Sequence, residues 1–399
     1  MSTNTPKVKT GLDVLREKSF SNIMGRRVGL LIHAASVASD LSHIIDLVIE
    51  AGVDVRVVLG PEHGVGGGAQ DMHAVKDESY RPLGIPTISL YGAKEESLRP
   101  PPQVLDEIDV LLVDLQDVGS RYYTYAATLR YCMEACAQHG VHVVVLDRPN
   151  PINGLTVEGP VLGAEDFSFV GAFAVPIRHG LTIGELATQV QWEGLDVELL
   201  VVRLQGWNRA MWFDDTGLPW IMPSPNMPTQ DTTVVYPGAC LVEATNLSEG
   251  RGTTRPFELL GAPWLDGGKL AADLNEGGVP GARCRSVVFI PTHQKHQGVP
   301  CRGIQVHVTD RHVFSPVAFG LRFLEAAHAQ APHKFSWRKE PYEFVVDKLA
   351  VDLLLGRSDI RDALHANALP RDLSSLWSAE LADYREKRRS YLLYPENED

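Results

Sequence analysis

Long apolar runs alternate with helical patterns along the first half of the chain. The runs "RRVGLLIHAASV" (26–37), "VDVRVVLG" (53–60), "IDVLLVDLQDVG" (108–119) and "VHVVVLDRPNP" (141–151) are typical of buried strands. Segments such as "SHIIDLVIEAG" (42–52) and "TYAATLRYCMEACAQHG" (124–140) lie between them, have helical spacing and end in Gly. Continuous apolar strands separated by helices form parallel sheets that are covered on both faces. The pattern therefore predicts an α/β fold with a doubly wound parallel sheet.

The pattern changes after the first two hundred residues. The segment "LPWIMPSPNMPTQDTTVVYPG" (218–238) is rich in Pro and Thr, and its apolar side chains indicate a structured crossover. Strands are then predicted near 284–292 and 303–310, with helices near 316–330 and 342–356. We therefore place a domain boundary near residue 230. Residues 1–230 form the sheet domain, and residues 231–399 form a second, smaller α/β domain that closes a cleft against it.

Composition narrows the classes of partner. The 399 residues carry a net charge of −13, whereas nucleic acids and anionic membranes attract basic proteins, so a small-molecule substrate is expected. The five cysteines are scattered, which favours reduced, buried thiols over a disulfide framework, although Cys132 and Cys136 share a helical face that a metal could use. The sequence contains no apolar run of signal-peptide or membrane-spanning length, which predicts a cytoplasmic protein.

Polar side chains cluster where the predicted strands end. Ligands of open parallel sheets bind at the carboxyl ends of the strands, so these side chains are candidates for a site. They are Glu62, His63, Asp114, Gln116, Asp117, Arg121, Tyr123, Asp147, Arg148, Asn150, Asn153, Arg178 and His179. Each also has a structural interpretation, such as a core histidine at His179. A carboxylate inside an apolar run, as at Asp114, needs a partner, and Arg121 or Arg148 could supply it.

The loop "LGPEHGVGGG" (59–68) has two interpretations. Residues 64–69 match the dinucleotide pattern G-x-G-x-x-A, but they follow the second strand, and Glu62 would repel a pyrophosphate. The second interpretation is that the glycines turn the backbone and expose Glu62 at the mouth of the cleft. A glutamic acid held in a partly apolar site donates protons, and glycoside cleavage needs such a donor. We therefore predict no cofactor.

A metal-dependent hydrolase is the alternative chemistry. His63, His73, Asp114, Asp117 and His179 would be its ligands. None of these residues has a diagnostic spacing such as H-E-x-x-H, so no metal site is predicted.

A series of long motifs resembles the exo-β-N-acetylmuramidase family. The motifs are "GPEHG" (60–64), "DLQDVGSRYYTY" (114–125), "LDRPNPINGLTVEGP" (146–160), "RHGLTIGELA" (178–187), "LPWIMPSPNMPT" (218–229), "YPGACLVEATNLSEGRGTTRPFELLGAPW" (236–264) and "CRGIQVHVTDR" (301–311). The resemblance implies a Rossmann-like N-terminal domain, a smaller C-terminal domain and an active site between them. It implies release of terminal N-acetylmuramic acid from the non-reducing end of peptidoglycan fragments, with Glu62 as general acid and base. Val65, the glycines after it and Ala244 depart from the family pattern.

The resemblance leaves the second catalytic group open among Asp114, Asp117 and Glu249. Their distance from Glu62 would predict retention or inversion, and the 2-acetamido group of the substrate is a third possible nucleophile. We predict Asp117 as the second catalytic residue. Asp117 and His63 are expected to orient Glu62 or to bind hydroxyl groups of the sugar. The lactyl carboxylate of muramic acid calls for an Arg, with Arg121, Arg148, Arg178 and Arg251 as candidates. The remaining predicted sugar ligands are Gln116, Tyr123, Asn150, His179, Asn226, Asn246 and Glu249. A non-catalytic binder of cell-wall sugars remains the alternative function.

Overall fold

The structure, a computed structural model, describes residues 8–70, 73, 78–80, 84–277 and 279–396 of the chain. The first half contains the strands β1 (Arg27–Ile32), β2 (Asp54–Gly60), β3 (Glu78–Tyr80), β4 (Ile85–Ser89), β5 (Val110–Asp114), β6 (His142–Leu146), β7 (Glu158–Val161), β8 (Pro176–Arg178) and β9 (Leu199–Val202). Its helices are α1 (Gly11–Glu17), α2 (Ile44–Glu50), α3 (Pro102–Leu105), α4 (Tyr125–His139) and α5 (Ile183–Trp192).

Seven of these strands form the central sheet, in the order β3-β4-β2-β1-β5-β6-β9. Six of them are parallel, and β3 pairs antiparallel with β4 at one edge. Numbered among themselves along the chain, the parallel strands have the order 3-2-1-4-5-6, which is the Rossmann order. The predicted Rossmann-like, doubly wound sheet is therefore confirmed. The strand order reverses between β1 and β5, so the ligand crevice is expected beside their carboxyl ends.

Both faces of the sheet are covered, which explains why its strands are apolar throughout. Leu30 packs into a buried cluster with side chains of α1 and α2, whereas Leu31 packs into the other cluster with side chains of α4 and α5. In β5, Leu112 belongs to the cluster of α1 and α2, and Leu111 belongs to the cluster of α4 and α5. Successive side chains of a strand point to opposite faces of the sheet. A sheet that is buried on both faces therefore needs apolar residues at consecutive positions.

The second half is built around a smaller antiparallel sheet, with the order β10-β12-β11. Its strands are β10 (Leu259–Ala262), β11 (Ala282–Phe289) and β12 (Cys301–Val308), and its helices are α6 (Gln230–Ala239), α7 (Gly267–Glu276), α8 (Pro316–Gln330), α9 (Ala350–Leu355), α10 (Ser358–His365) and α11 (Ser378–Arg388). The second, smaller α/β part is therefore confirmed. The helix predicted over 342–356 is confirmed only from Ala350 onwards, because residues 342–345 form a tight turn.

Buried polar contacts join the two halves. The Ala318 amide at the first turn of α8 donates to Glu158 Oε1 of β7 at 2.9 Å. Burial raises the pKa of Glu158 to about 7. The Tyr394 hydroxyl donates to Asp147 Oδ2 at 2.6 Å, so the end of the chain returns to the first half. A boundary near residue 230 therefore stays a prediction. In the part of the chain that the structure describes, no helix is both long and apolar enough to cross a bilayer.

Candidate active site

The loop after β2 carries Glu62 at the carboxyl edge of the sheet. The Gly64 amide donates to Pro61 O at 2.9 Å, and the His63 ring contacts Ala69 O through Nδ1 at 2.8 Å, so the loop is closed by its own hydrogen bonds. His63 and Gly64 both have positive φ angles, of 70° and 74°. Glycine adopts such angles without steric cost, so the backbone turn accounts for Gly64. The turn places Glu62 at the positively polarised start of α4.

Glu62 is buried, with 3% of its surface exposed. Its Oε2 accepts a hydrogen bond from Thr124 Oγ1 at 2.7 Å, and Thr124 is the residue that immediately precedes α4. Negative charge is stabilised at the N-terminus of a helix, because the first amides have no partner within the helix. A carboxyl group is thus held in a fixed orientation at the end of a parallel strand.

A small pocket surrounds Glu62, with a volume of about 30 Å³. Its walls come from the first half, from the crossover and from the second half of the chain. The lining residues are Glu62, His63, Tyr122, Tyr123, Thr124, Val170, Ser224, Asn226, Met227, Tyr236, Glu243, Arg251, Phe257, Tyr342 and Glu343. A volume of this size holds one or two waters. A sugar ring can enter only if the walls from the two halves move apart.

The wall from the second half contains a chain of charges. Arg251 donates from Nη2 to Glu243 Oε1 at 2.5 Å and from Nε to Glu249 Oε1 at 2.9 Å. Glu249 Oε2 also lies 2.8 Å from Lys295 Nζ. Burial opposes ionisation of Glu249, but the charges of Lys295 and Arg251 outweigh it and lower its pKa. Glu249 is therefore ionised, and it supports Arg251 from behind the pocket wall.

Two glutamates of the pocket, Glu243 and Glu343, were missed by the sequence analysis. Glu243 Oε2 accepts a hydrogen bond from Tyr342 at 2.7 Å, and Glu343 Oε2 accepts one from Tyr91 at 2.9 Å. Glu243 lies inside the "LVEATNLSEG" motif, so the motif itself was a signal. Glu343 lies in the segment predicted to be helical, and no sequence pattern marked it.

Most of the other predicted site residues form a separate buried network under the ends of β5 and β6. Arg148 binds both carboxylate oxygens of Asp114, with distances of 2.5 and 2.8 Å. Gln116 donates to Asp117 O and Pro149 O, and Asn150 donates to Leu181 O. His179 Nε2 lies 3.2 Å from Asp117 Oδ2. None of these side chains lines the part of the pocket that the described residues form.

His33, at the end of β1, was also missed. Its Nε2 accepts the Gln116 amide proton at 3.0 Å, and its ring meets the edge of Tyr125 at 4.9 Å between ring centres. Burial lowers the pKa of His33 well below its usual value, so the ring is neutral. His33 therefore connects the buried network to the aromatic wall beside Glu62.

Two of the candidate arginines contact main-chain carbonyls. Arg121 donates to Pro160 O, Val175 O and Leu354 O, with distances of 2.6–2.9 Å. Arg178 donates to Ile152 O. Burial lowers the pKa of each guanidinium to about 10. Of the four arginines proposed for the lactyl carboxylate, Arg251 is the one that lines the pocket as the described residues form it.

A wider cleft of about 800 Å³ adjoins the pocket, and Glu243 lines both. Its other walls include Thr245, Lys295, Trp337 and Arg338. The predicted sugar ligand Asn246 lies here, with Nδ2 donating to Lys334 O at 2.7 Å and Oδ1 accepting from the Ser336 amide at 3.0 Å. His73, one of the residues considered as a metal ligand, also lines this cleft. Among the described residues, no three His, Cys, Asp or Glu side chains are grouped to hold a metal ion.

Comparisons with known proteins cover nearly the whole chain. Residues 28–231 match the family model described as exo-beta-N-acetylmuramidase NamZ, N-terminal, and residues 234–394 match the corresponding C-terminal model. Peptidoglycan beta-N-acetylmuramidase NamZ of Bacillus subtilis (strain 168) is 41% identical over 391 residues, which are 98% of this chain and 92% of the relative.

Two crystal structures of DUF1343 family proteins from Bacteroides fragilis are also similar. One has a TM-score of 0.86 and 33% identity, and the other has a TM-score of 0.76 and 26% identity. In both, the match covers 98% of this chain and 99% of the other.

Proposed function

The chain belongs to the exo-beta-N-acetylmuramidase family, and from that premise we propose that Glu62 is its catalytic acid. The protein is a glycoside hydrolase that releases terminal N-acetylmuramic acid from the non-reducing end of peptidoglycan fragments. The observation that carries the assignment of Glu62 is its position. A buried carboxyl group lies at the end of a parallel strand, and the pocket around it has walls from both halves of the chain.

Glu62 donates its proton to the glycosidic oxygen as the bond from that oxygen to the anomeric carbon breaks. Water supplies the hydroxyl group of the released muramic acid and loses one proton, which restores the protonated acid. The Thr124 hydroxyl fixes the orientation of the carboxyl group, and the aromatic wall of Tyr123 and Tyr236 limits access of bulk water.

Arg251 is the proposed ligand of the lactyl carboxylate. Arg251 lines the pocket, and a guanidinium binds carboxylates in a planar, directional way. Its bonds to Glu243 and Glu249 fix its orientation, and Lys295 balances the second of these two carboxylates. His63, Tyr123 and Asn226 remain the proposed ligands of the sugar hydroxyl and acetamido groups, because they share the same pocket.

The wide cleft is the proposed place for the leaving group. An exo-acting enzyme needs a small pocket for the terminal sugar and an open path for the rest of the substrate. The pocket of Glu62 and the cleft of Trp337 share Glu243 as a wall, which supports this arrangement. The Trp337 ring can stack on the face of the next sugar.

Small cell-wall fragments in the cytoplasm are the proposed substrates. The five cysteines are all free and buried, and free thiols persist in a reducing compartment. Cell fractionation with an antibody to this protein would test the location. Recovery of the protein in an extracellular fraction would contradict it.

The function is tested with a chromogenic N-acetylmuramide. With a leaving group that needs protonation to depart, we expect the wild type to release the chromophore and Glu62→Gln to lose about 10²–10⁴-fold in kcat. Glu107→Gln is the matched control, because Glu107 is exposed and distant from the pocket, and it should keep full activity. Full activity of Glu62→Gln would remove Glu62 from the mechanism.

The alternative functions make different predictions in the same assay. A non-catalytic binder of cell-wall sugars would bind the muramide without releasing the chromophore. A metal-dependent hydrolase using His63, Asp114 and His179 would lose activity on dialysis against a chelator and regain it with a divalent ion. In the structure, His63 lies in the loop, Asp114 binds Arg148, and His179 accepts the Leu181 amide proton through Nδ1.

A further inference from the structure

The turn that contains Glu343 has an unusual sequence for its backbone conformation. Tyr342 and Val345 exchange two main-chain hydrogen bonds, of 3.1 and 3.0 Å, across a two-residue loop. The two loop residues, Glu343 and Phe344, have φ angles of 47° and 70°. A turn with two positive φ angles strongly favours Asn-Gly or Gly-Gly, because larger side chains are strained there. Residues in such strained conformations concentrate at functional sites.

Contacts on both sides of Glu343 hold this turn in place. The Phe344 ring packs against Tyr91 and Phe169, with ring centres 5.9 and 6.5 Å apart. Tyr342 donates to Glu243 and thereby connects the turn to Arg251. The turn of the second half is therefore fixed to the first half by Phe344 and to the charged wall by Tyr342.

Glu343 itself enters the pocket of Glu62. Its side chain is buried, with 4% of its surface exposed, and Tyr91 orients the carboxyl group through a 2.9 Å hydrogen bond. Glu62, Glu243 and Glu343 are the carboxyl groups among the described lining residues. Glu243 is the partner of the Arg251 guanidinium, which assigns it to the charged wall. A Gly or Asn would relieve the strain at position 343, so the glutamate side chain is present for another reason.

We infer that Glu343 is the second carboxylate of the reaction centre, facing the sugar whose glycosidic oxygen Glu62 protonates. Glycoside cleavage passes through a transition state in which positive charge develops at the anomeric carbon. A carboxylate fixed beside that carbon stabilises the charge without having to reorganise. This inference rests on the proposed function, and it replaces the earlier candidates Asp114, Asp117 and Glu249 for this role. Asp114 binds Arg148 and Glu249 binds Arg251, whereas Asp117 accepts a hydrogen bond from the Gly119 amide, and none of the three lines the described pocket.

Substrates whose leaving groups differ in acidity distinguish the role of Glu62 from the role of Glu343. We would measure kcat and KM with phenyl and 2,4-dinitrophenyl N-acetylmuramides for the wild type, Glu62→Gln and Glu343→Gln. A dinitrophenolate departs without protonation, so Glu62→Gln should lose far more activity on the phenyl substrate than on the dinitrophenyl one. Glu343→Gln should lose at least about 100-fold in kcat on both substrates, with KM within about threefold, because charge develops in both reactions.

Two further variants control for folding and location. Glu343→Asn should melt near the wild-type temperature, because Asn tolerates positive φ and this relief offsets the lost hydrogen bond from Tyr91, and it should be as inactive as Glu343→Gln. Glu107→Gln, an exposed glutamate distant from the pocket and the cleft, should behave as the wild type. Activity of folded Glu343→Gln or Glu343→Asn within about threefold of wild type would overturn the inference. A wild type that hydrolyses neither muramide would instead overturn the proposed function.

Discussion

Thr124 Oγ1 lies 2.7 Å from Glu62 Oε2, and the two residues come from the start of α4 and the end of β2. In the described structure, the Thr124 hydroxyl makes no capping bond to α4. Loss of the hydroxyl should therefore affect the orientation of Glu62 more than the stability of the helix.

The first prediction concerns this hydrogen bond. We expect Thr124→Val to lower kcat about 10-fold, because one hydrogen bond to a charged or acidic group contributes roughly 1.5 kcal/mol. Thr124→Ser keeps the hydroxyl and is the matched control, with activity near wild type. Kinetics with the chromogenic muramide and thermal melting of both variants measure the effect. Equal activity of the two variants would show that Glu62 does not depend on this bond.

The second prediction concerns selection of the substrate by Arg251. We expect Arg251→Lys to reduce kcat/KM for the muramide by about 10–100-fold, because Lys lacks the planar guanidinium that binds a carboxylate directionally. The rate on the matching N-acetylglucosaminide, which lacks the lactyl group, should change little. The ratio of the two rates is therefore the measurement that isolates recognition of the carboxylate.

A control for this ratio is available in the same motif. Arg255 is more exposed and pairs with Asp231 and Glu258, so Arg255→Lys should leave the ratio unchanged. If Arg251→Lys lowers both rates by the same factor, Arg251 supports the pocket and does not select muramic acid.

The fold was predictable from the sequence because burial on both faces leaves a strong pattern. Leu30 and Leu31 face opposite helical layers, and this is why β1 is a continuous apolar run in the sequence. The position of Glu62 was also predictable, since residues at the carboxyl end of a parallel strand meet the ligand crevice.

The partners of the polar residues were not predictable in the same way. Asp114 is the last residue of β5 and Glu62 follows β2, yet the first binds Arg148 and the second faces the pocket. The distinction depends on which loops fold over each strand end. Glu343 was missed because contacts with Tyr91 and Phe169 override the helical pattern of its segment. Tertiary contacts of this kind leave no periodic signal.

The third prediction concerns the leaving-group cleft. We expect Trp337→Ala to raise KM for a muramic acid–glucosamine disaccharide about tenfold, because an aromatic stacking contact contributes about 1 kcal/mol or more. The aryl muramide has no second sugar, so its kinetics should be unchanged. Trp192→Ala is the matched control, because Trp192 is exposed and packs against Tyr391 near the C-terminus. An equal effect on both substrates would place Trp337 outside the leaving-group site.

The fourth prediction concerns the pH dependence of stability. Burial raises the pKa of Glu158 from 4.5 to about 7, so the folded state holds this proton more tightly than the unfolded chain. Protonation of Glu158 therefore stabilises the folded state by a total on the order of 3 kcal/mol. This stabilisation is fully present below pH 4.5 and is lost as the pH rises to about 7. Glu158→Gln should therefore show a flatter decrease in the free energy of unfolding across this window. Urea titrations at several pH values measure the slope, and identical slopes would contradict the raised pKa.

The last prediction separates the buried network from the reaction centre. Asp114 is fully buried and binds Arg148 through both oxygens, so Asp114→Asn leaves a buried guanidinium without its counter-charge. Such a change costs about 3–5 kcal/mol of stability. The kcat of the folded variant should stay within about threefold of wild type, because Asp114 does not line the described pocket wall. A stable variant that has lost about 100-fold in kcat would instead place Asp114 in catalysis.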